Sequence, residues 1–410
     1  MSNTKQTFVI VGASLTGAKA AEELRKQGFD GRVVLIGDEP ENPYERPPLT
    51  KDYLRGESPR EKTFVHEPDF YEQHEIELRS AVKVTAIEPA TRTVSVDGTP
   101  LIVYDRLLIA TGAQPRQLEI PGANLEGIHY LRTLADCDVL KARLESGGKV
   151  VVVGAGWIGA EFAASARLAG LDVTIIEPMA VPLERVLGEE LGTFYGDVHK
   201  AHGVQLRTET GVEAFEGQGS VTSVRTSDGR SIACDFVVVG VGVVPRTGLA
   251  EAAGATIENG IVVDEGLATS LPDVFAAGDV ANAWHPFFGQ RIRVEHWANA
   301  LNQGPAAAQS MLGQDVSYDR LPYFFSDQYD VGMEYSGYAE EWDEIVYRGA
   351  LKDGAFVAFW LKDQRVIAGM NVNVWDVNED VQKLIRSRQQ IDIAALRDTD
   401  TPLTEIVDGS

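Results

Sequence analysis

The stretch Lys149–Ala164 constrains the fold of this chain most strongly. It reads K-V-V-V-V-G-A-G-W-I-G-A-E-F-A-A: a run of valines, a G-x-G-x-x-G turn and a helix-forming segment. A buried strand that becomes a helix through such a turn presents free N–H groups to a pyrophosphate. Gly154 permits the tight turn, Gly156 allows close approach of a phosphate, and Gly159 lets the helix pack on the strand. The stretch therefore predicts a Rossmann-like dinucleotide site.

A second unit of the same kind opens the chain. Thr7–Val11 predicts a buried parallel strand, Gly12–Gly17 (G-A-S-L-T-G) predicts the turn, and a helix should follow to Gln27. Ser14 replaces the middle glycine of the pattern, so its side chain either crowds a phosphate, donates to it, or caps the helix. Asp38 follows the next predicted strand, where a carboxylate can accept hydrogen bonds from ribose hydroxyls.

The acidic residue of the central unit is Glu177, which directly follows the predicted strand Asp172–Ile176. A carboxylate at this position accepts hydrogen bonds from both hydroxyls of an adenosine ribose, and its charge repels a 2′-phosphate. The central site is therefore predicted to prefer NADH to NADPH.

A proline-rich loop lies between residues 42 and 54, with the sequence N-P-Y-E-R-P-P-L-T-K-D-Y-L. Its prolines restrict the backbone, so the side chains of Arg46 and Lys51 should be held accurately. A lysine above a redox-active ring stabilises negative charge on the reduced ring. A surface loop with solvated charges explains the same residues equally well, and the pattern alone leaves both interpretations open.

The rest of the chain completes an α/β protein with an added domain. Buried strands are predicted within Tyr104–Gly112 and Phe236–Val244, and a third should bring Gly278 and Asp279 to the start of a helix. After residue 321 the pattern is aromatic-rich and alternating, with an antiparallel sheet over 345–348, 355–361 and 365–371. We predict a discontinuous first dinucleotide-binding domain over residues 1–112 and 245–318, a second, NADH-binding domain over 113–244, and an α+β domain over 319–410.

Composition excludes several classes of function. The net charge of -24 disfavours nucleic acid and anionic membranes as partners. The longest apolar run, Phe236–Val244, is too short to span a bilayer, and no signal sequence is evident, so the expected compartment is the cytoplasm. Cys137 and Cys234 are far apart and form no C-x-x-C pair, which argues against a disulfide framework, a zinc site or a thiol-redox enzyme. No cluster of metal or haem ligands is apparent.

Two dinucleotide units in one chain suggest an electron-transfer flavoprotein. One site can hold a permanent dinucleotide and the other a diffusible one, with their reactive rings brought together for hydride transfer. A flavin can then release electrons singly, which a nicotinamide cannot readily do. FAD at the N-terminal site and NADH at the central site satisfy this chemistry.

Several motifs together resemble the FAD- and NADH-dependent ferredoxin reductases of cytochrome P450 and Rieske dioxygenase systems. They are the turn at 12–17, E-R-P-P-L-T-K at 45–51, A-T-G at 110–112, L-R-T-L at 131–134, G-A-G-W-I-G-A-E at 154–161, A-A-G-D at 276–279 and F-S-D-Q-Y-D at 325–330. The resemblance covers nearly the whole chain and implies a glutathione-reductase-like fold with two dinucleotide domains. Apoptosis-inducing-factor-like proteins and NADH peroxidases share that architecture, but the peroxidases carry an active-site cysteine after the second strand, where this chain has none.

The resemblance also implies roles for individual residues. It places Lys51 beside the flavin N5, Glu161 at the nicotinamide, and Glu295 near the flavin, where we hypothesise a pair with Lys51; these are the predicted catalytic residues. The predicted cofactor-binding residues are Gly12, Ser14, Leu15, Thr16, Gly17, Asp38, Arg46, Lys51, Val84, Ala110, Thr111, Gly112, Arg132, Gly154, Gly156, Ile158, Gly159, Glu161, Glu177, Gly242, Gly278, Asp279, Glu295, His296 and Trp297.

The implied partner is a [2Fe–2S] ferredoxin, which would in turn serve a cytochrome P450 or a Rieske oxygenase. Because such ferredoxins are usually acidic, a locally basic docking face is expected despite the overall negative charge. Its candidate residues are Arg46, Lys51, Arg55, Arg291 and Arg293. The alternatives are a rubredoxin reductase or NADH oxidase, which differ in the acceptor, and an apoptosis-inducing-factor-like, NADH-responsive interaction protein.

Overall fold

The structure is a computed structural model that describes residues 5–97 and 101–408. The chain divides into two compact units. The first unit comprises the chain up to Arg46, Arg60–Gln114 and Val243–Arg320, and the second comprises Pro47–Pro59, Pro115–Gly242 and the chain from Leu321 onward.

The strands, in chain order, are β1 Thr7–Val11, β2 Arg32–Ile36, β3 Ile76–Arg79, β4 Val84–Glu88, β5 Thr93–Val96, β6 Ile102–Val103, β7 Arg106–Ile109, β8 Ala113–Pro115, β9 Ile128–Tyr130, β10 Lys149–Val153, β11 Asp172–Ile176, β12 Gln205–Arg207, β13 Val212–Gln218, β14 Ser220–Thr226, β15 Ser231–Ala233, β16 Phe236–Val239, β17 Val243–Pro245, β18 Ile261–Val263, β19 Val274–Ala276, β20 Ala281–His285, β21 Gln290–Ile292, β22 Tyr323–Gln328, β23 Val331–Gly337, β24 Glu344–Ala350, β25 Ala355–Lys362 and β26 Arg365–Val372.

The α-helices are α1 Leu15–Lys26, α2 Phe70–Gln73, α3 Leu134–Ser146, α4 Trp157–Leu168, α5 Glu184–Leu187, α6 Glu189–Ala201, α7 Gly248–Ala252, α8 Trp297–Met311, α9 Asn378–Ser387, α10 Ile393–Arg397 and α11 Leu403–Asp408. Short 3₁₀ helices cover Pro47–Thr50, Arg60–Thr63 and Leu351–Asp353.

The first unit is built on a parallel sheet of order β19-β7-β1-β2-β3. Its central strand, β1, is buried from Phe8 to Val11, and Val11 lies between Ile36 and Ile109 in the register. The paired helices α1 and α8 both contact this sheet. Buried apolar side chains on both faces are what a parallel sheet requires, so the predicted N-terminal unit is confirmed.

The expected helix after Gly278 and Asp279 is wrong. Gly278 has a φ of +80°, and the turn it forms leads into strand β20. Strand β20 pairs with β18 on one side and with β21 on the other, so backbone pairing on both sides fixes the extended conformation. Asp279 therefore precedes a strand and does not cap a helix. An antiparallel sheet of order β4-β5-β6 completes the first unit.

The second unit contains a parallel sheet of order β12-β11-β10-β16-β9, with β10 at its centre. Val153 lies between Ile176 and Val239 in the register, as Val11 does between its neighbours in the first unit. The antiparallel sheet β13-β14-β15 contributes Phe215 and Val224 to a core shared with β10 and β16. The predicted central dinucleotide fold is thus present, with α4 running from Trp157 to Leu168.

The chain after residue 321 forms an antiparallel sheet of order β22-β23-β26-β25-β24, which confirms the predicted sheet. One of its faces belongs to an apolar cluster that includes Tyr335, Trp360 and, from the α5–α6 region, Leu187 and Tyr195. This sheet and the central dinucleotide fold consequently share a hydrophobic core within the second unit.

Both cysteines, Cys137 and Cys234, are free and buried, as expected of inert thiols. Among the described helices, none has the length and apolar character needed to cross a membrane. Over residues 5–97 and 101–408, no group of histidine, cysteine and acidic side chains is arranged to hold a metal ion.

Candidate functional site

The first glycine turn is closely packed on its protein side. A Cβ added to Gly12, whose φ is +119°, would lie 2.1 Å from the Ala110 carbonyl oxygen, and one on Gly17 would lie 2.0 Å from the Gly12 carbonyl oxygen. Helix α1 then begins at Leu15, with no acidic residue in its first turn and no side-chain cap. Its first N–H groups are therefore open to an anion.

Ser14 occupies the N-cap position of α1, but its side chain does not cap the helix. Its hydroxyl accepts a hydrogen bond from the Arg46 guanidinium, which also lies 3.4 Å from a Glu39 carboxylate oxygen. Tyr44 donates its hydroxyl proton to Glu39 as well. The predicted residues Ser14 and Arg46 therefore contact each other directly, and Glu39 and Tyr44 extend this group of hydrogen bonds, which no sequence motif indicated.

Asp38 lies beyond β2 and pairs with Arg246, 2.6 Å away. Burial opposes ionisation of this carboxyl, but the hydrogen bond and charge of Arg246 outweigh it and lower the pKa of Asp38. Thr111 donates its hydroxyl proton to the Arg246 carbonyl oxygen at 2.8 Å, and Gly112 adopts a φ of +67°. Arg246 thus links Asp38 to the A-T-G turn, and no sequence motif pointed to it.

Two more predicted residues of the first unit, His296 and Trp297, lie at the start of α8. Trp297 is the first residue of α8, and its side chain opposes the rise that burial causes in the pKa of Glu45. His296 is partly buried, and desolvation lowers the pKa of its ring to about 4 although Asp279 opposes this shift. Val84 is 7% exposed and packs into the apolar core.

Two further predicted residues of this unit, Gly278 and Thr16, pack directly against each other. A Cβ on Gly278 would lie 2.5 Å from the Thr16 hydroxyl oxygen, so the turn at residue 278 contacts the start of α1 directly. The contact requires glycine, both because of the close approach and because of the positive φ.

The second glycine turn differs from the first at its middle position. A Cβ on Gly154 would lie 2.5 Å from the Gly240 carbonyl oxygen, and one on Gly159 would lie 2.1 Å from the Gly154 carbonyl oxygen. A Cβ on Gly156 would meet no atom within 4 Å. Helix α4 begins at Trp157, followed by Ile158, with no side-chain cap and no acid in its first turn. The space beside Gly156 and the open N–H groups suit a pyrophosphate.

Glu177 directly follows β11 and is 8% exposed. One carboxylate oxygen accepts a hydrogen bond from the Ala155 N–H at 2.6 Å, and the other accepts from the Met179 N–H at 3.0 Å. These two bonds fix the carboxylate beside the glycine turn. Gly242, predicted as a binding residue, has a φ of +96° and accepts a hydrogen bond from the Arg116 N–H at 2.9 Å.

Lys51 and Glu161 form an ion pair inside the second unit. The Lys51 Nζ lies 2.7 Å from Glu161 Oε2, and both side chains are largely buried, at 12% and 8% exposure. Thr50 donates its hydroxyl proton to the same Oε2 atom at 2.6 Å, while Ser326 donates to Oε1 at 2.7 Å. The Phe325 ring lies 5.5 Å from the Lys51 Nζ, within the range of a cation–π contact.

The loop that carries Lys51 is tied to the rest of the second unit on several sides. Ser165 of α4 donates its hydroxyl proton to the Thr50 carbonyl oxygen at 2.6 Å, and Cys137 of α3 donates to the Leu49 carbonyl oxygen at 3.4 Å. Tyr53 donates to Asp138. These bonds, and not the prolines alone, hold Lys51 in place, so the solvated-loop interpretation of this segment is wrong.

The hypothesis that Lys51 pairs with Glu295 is wrong. Lys51 pairs with Glu161, whereas Glu295 pairs with Arg293 in the first unit. The resemblance implied a place for Glu161 at the nicotinamide and no lysine partner, because residues 110 positions apart show no pairing signal in one sequence.

Arg132 lies between β9 and α3 in the second unit, and its N–H donates to the Asp136 carboxylate at 3.2 Å. A capping box between Thr133 and Asp136 starts α3 at Leu134. The chain before it is the short strand β9, which ends at Tyr130.

The proposed basic docking residues do not form a free cationic patch. Each has partners within its own unit: Arg46 contacts Glu39, Lys51 contacts Glu161, and Arg55 contacts Glu57. Arg291 donates to the Val263 carbonyl oxygen, and Arg293 pairs with Glu295. Charges that are paired with carboxylates attract a partner weakly, so Arg46, Lys51, Arg55 and Arg293 are poor candidates for a basic docking face. Arg291 is exposed and donates only to carbonyl oxygens, so its charge is not neutralised.

Comparison with known proteins identifies two family matches along the chain. Residues 6–304 match the family described as pyridine nucleotide-disulphide oxidoreductase. Residues 323–407 match the family described as reductase C-terminal. The first match contains both glycine turns, and the second contains the antiparallel sheet that begins at β22.

Individual relatives span the whole chain. The ferredoxin reductase subunit of 5,5'-dehydrodivanillate O-demethylase from a Sphingobium species is 40% identical over 401 residues, 97% of each protein. Putidaredoxin reductase of Pseudomonas putida is 36% identical over 411 residues, 99% of this chain and 97% of the relative. The reductase in the crystal structure of the covalent putidaredoxin reductase–putidaredoxin complex superposes with a TM-score of 0.95, 36% identity and 99% coverage of both chains.

Proposed function

The chain belongs to the pyridine nucleotide-disulphide oxidoreductase family, and we propose that it is the NADH-dependent ferredoxin reductase of a cytochrome P450 or Rieske oxygenase system. The observation that carries this proposal is the presence of two glycine turns with open helix N-termini together with the buried Lys51–Glu161 pair. Full-length relatives that act with ferredoxins support the choice of acceptor.

The residues of the first turn fit the pyrophosphate of FAD, and those of the second fit that of a pyridine nucleotide. When bound, FAD accepts two electrons as a hydride and releases them one at a time. In our proposal Asp38 binds the FAD ribose and the N-terminus of α1 binds its phosphates. Lys51 supplies positive charge where the reduced ring becomes negative, and Glu161 fixes the position of that lysine.

We propose that Glu177 makes NADH the preferred coenzyme. Its carboxylate is held next to the turn by two backbone N–H groups and still has lone pairs for ribose hydroxyls. A 2′-phosphate placed there would meet a buried negative charge, which disfavours NADPH. A cytoplasmic location, the three-domain division and the roles of the other residues named above stay predictions.

A ferredoxin-coupled assay tests the function. We expect NADH to drive reduction of cytochrome c only when a [2Fe–2S] ferredoxin is added, and a panel of ferredoxins should reveal the preferred partner. Equal rates without ferredoxin would indicate an oxidase or a general reductase. A preference for rubredoxin over every ferredoxin would identify the alternative acceptor, and negligible turnover with all acceptors would favour an interaction protein.

A further inference from the structure

A chain of buried hydrogen bonds ends on the Glu161 carboxylate. It starts at Tyr329, whose hydroxyl lies 3.1 Å from His199 Nδ1, and continues from His199 Nε2 to Gln328 Oε1 at 3.0 Å. Gln328 Nε2 lies 3.3 Å from Ser326 Oγ, and Ser326 Oγ lies 2.7 Å from Glu161 Oε1. His199, Gln328 and Ser326 are each no more than 1% exposed.

Strand β22 supplies two links of this chain by its alternation. Ser326 and Gln328 point inward, whereas Asp327 between them is exposed. Helix α4, which carries Glu161, packs against this strand, and α6 supplies His199. Polar side chains at two successive inward positions of a strand cost free energy unless each finds a partner, and here each does.

The direction of the chain follows from the chemistry of its members. Burial lowers the pKa of His199 to about 4, so at neutral pH its ring has one donor and one acceptor. Because Gln328 Oε1 only accepts, His199 Nε2 carries the proton and Nδ1 accepts from Tyr329. Gln328 then donates to Ser326, and Ser326 has a single proton left for Glu161. Hydrogen bonds that point in the same direction along such a chain polarise and strengthen one another.

The two oxygens of Glu161 therefore have separate tasks. Oε1 is held by Ser326, and this fixes the torsion of the carboxylate so that Oε2 faces Thr50 and Lys51. Without the bond to Oε1, the carboxylate could rotate and the Lys51 Nζ would lose its fixed position. Small displacements of a charged group near reacting atoms slow a reaction strongly.

We infer that Ser326 is a positioning residue for hydride transfer, acting through Glu161 on Lys51, with Gln328, His199 and Tyr329 fixing the direction of its hydroxyl. This inference rests on the proposed role of Lys51 as the cation beside the flavin. It assigns a role to Ser326, Gln328 and Tyr329 of the F-S-D-Q-Y-D segment, for which the sequence pattern alone predicted none.

The test compares Ser326→Ala with Ser326→Thr, which retains the hydroxyl, and with Ser336→Ala as a matched control. Ser336 is a buried serine of the same sheet, but its hydroxyl donates to Asn378 at 2.7 Å and is not connected to Glu161. Flavin content and the melting temperature establish that each holoenzyme is folded. If Ser326→Ala does not fold, Gln328→Met, which removes the donor to Ser326 at similar volume, takes its place.

The first readout needs no turnover. Competitive acetylation of the holoenzyme, followed by mass spectrometry, measures the reactivity of Lys51 as a function of pH. We expect Ser326→Ala to raise the acetylation rate of Lys51 about threefold, because the charge-assisted bond that holds the amine weakens. Ser326→Thr and Ser336→Ala should match the wild type. Unchanged reactivity of Lys51 in Ser326→Ala would overturn the inference.

The second readout is the limiting rate of flavin reduction by NADH in a stopped-flow instrument. Ser326→Ala should lower this rate about tenfold with an unchanged NADH Kd, and it should cause no further loss in a Lys51→Met background. An equal, additive loss in that background would contradict action through Lys51. If Lys51→Met itself reduces flavin at the wild-type rate, the proposed function of Lys51 fails, while the acetylation experiment still decides whether Ser326 positions it.

Discussion

At the scale of single residues, Glu177 should set the choice of coenzyme. Glu177→Ala removes the negative charge beside the adenosine ribose, so we expect the ratio of kcat/KM for NADH to that for NADPH to fall by about tenfold or more. The surface variant Glu189→Ala, in a residue exposed at the start of α6, is the control. Steady-state kinetics with both coenzymes measure the ratio, and an unchanged ratio would refute the role of Glu177.

His199 should make the stability of the protein depend on pH. Its folded-state pKa of about 4 lies below the usual value of 6.5, so the unfolded state binds the proton more readily. Stability is therefore complete above about pH 6.5 and is lost as the pH falls toward 4, with a loss from this group of about 2 kcal/mol by pH 5.

Urea denaturation at pH 7.5 and pH 5 checks this expectation. His199→Gln should lose less stability than the wild type between the two pH values, whereas His202→Gln, which alters a partly exposed ring, should behave like the wild type. An equal loss in wild type and His199→Gln would show that other groups carry the pH dependence.

The sequence predicted the positions of single residues better than it predicted which side chains contact each other. Glycines, prolines and the acid after β11 are tied to local backbone geometry, so their spacing predicted their places. Ser326 and Glu161 are 165 positions apart, and Asp38 and Arg246 are 208 apart. Pairs of this kind depend on how whole elements pack, and neither hydrophobic period nor turn chemistry encodes that packing.

At the scale of elements, the two glycine turns make a sharp prediction. The protein leaves space around an added Cβ at Gly156 but not at Gly159. Gly156→Ala should therefore keep the melting temperature within about 2 °C and retain FAD, while its NADH Kd rises about tenfold or more because the methyl group occupies the phosphate position.

The matched change Gly159→Ala should behave differently, since its Cβ would lie 2.1 Å from the Gly154 carbonyl oxygen. We expect it to lower the melting temperature or prevent folding. Scanning calorimetry and NADH titration of both variants distinguish the cases. Tight NADH binding by Gly156→Ala would mean that the pyrophosphate does not approach this turn.

Ser14 can be interpreted by comparing the two glycine turns. It occupies in the first turn the position that Gly156 has in the second, and its hydroxyl contacts Arg46. The strands and helices that flank both glycine turns agree with the prediction. The chain after Gly278 does not, because strand β20 follows it where a helix was predicted. Its extension into β20 depends on pairing with β18 and β21, which lie on either side of it in the sheet and not in the adjacent sequence.

At the scale of the whole molecule, the proposed function requires two dinucleotide folds in one chain, one for each coenzyme. Each parallel sheet has its glycine-turn strand at the centre, and each turn leaves helix N–H groups open. The net charge of -24 does not favour an acidic partner, and of the arginines first considered for docking, Arg46, Arg55 and Arg293 are already paired with carboxylates. Under the proposed function, recognition of a ferredoxin would therefore depend mainly on other parts of the surface.

The most direct test of the central claim is an anaerobic single-turnover experiment. The purified holoenzyme is reduced with one equivalent of NADH and then mixed with an excess of oxidised [2Fe–2S] ferredoxin, while flavin and ferredoxin absorbance are followed separately. We predict that each NADH reduces two ferredoxins as the flavin returns to its oxidised spectrum. A flavin that stays reduced until oxygen is admitted, with the ferredoxins unchanged, would contradict the account.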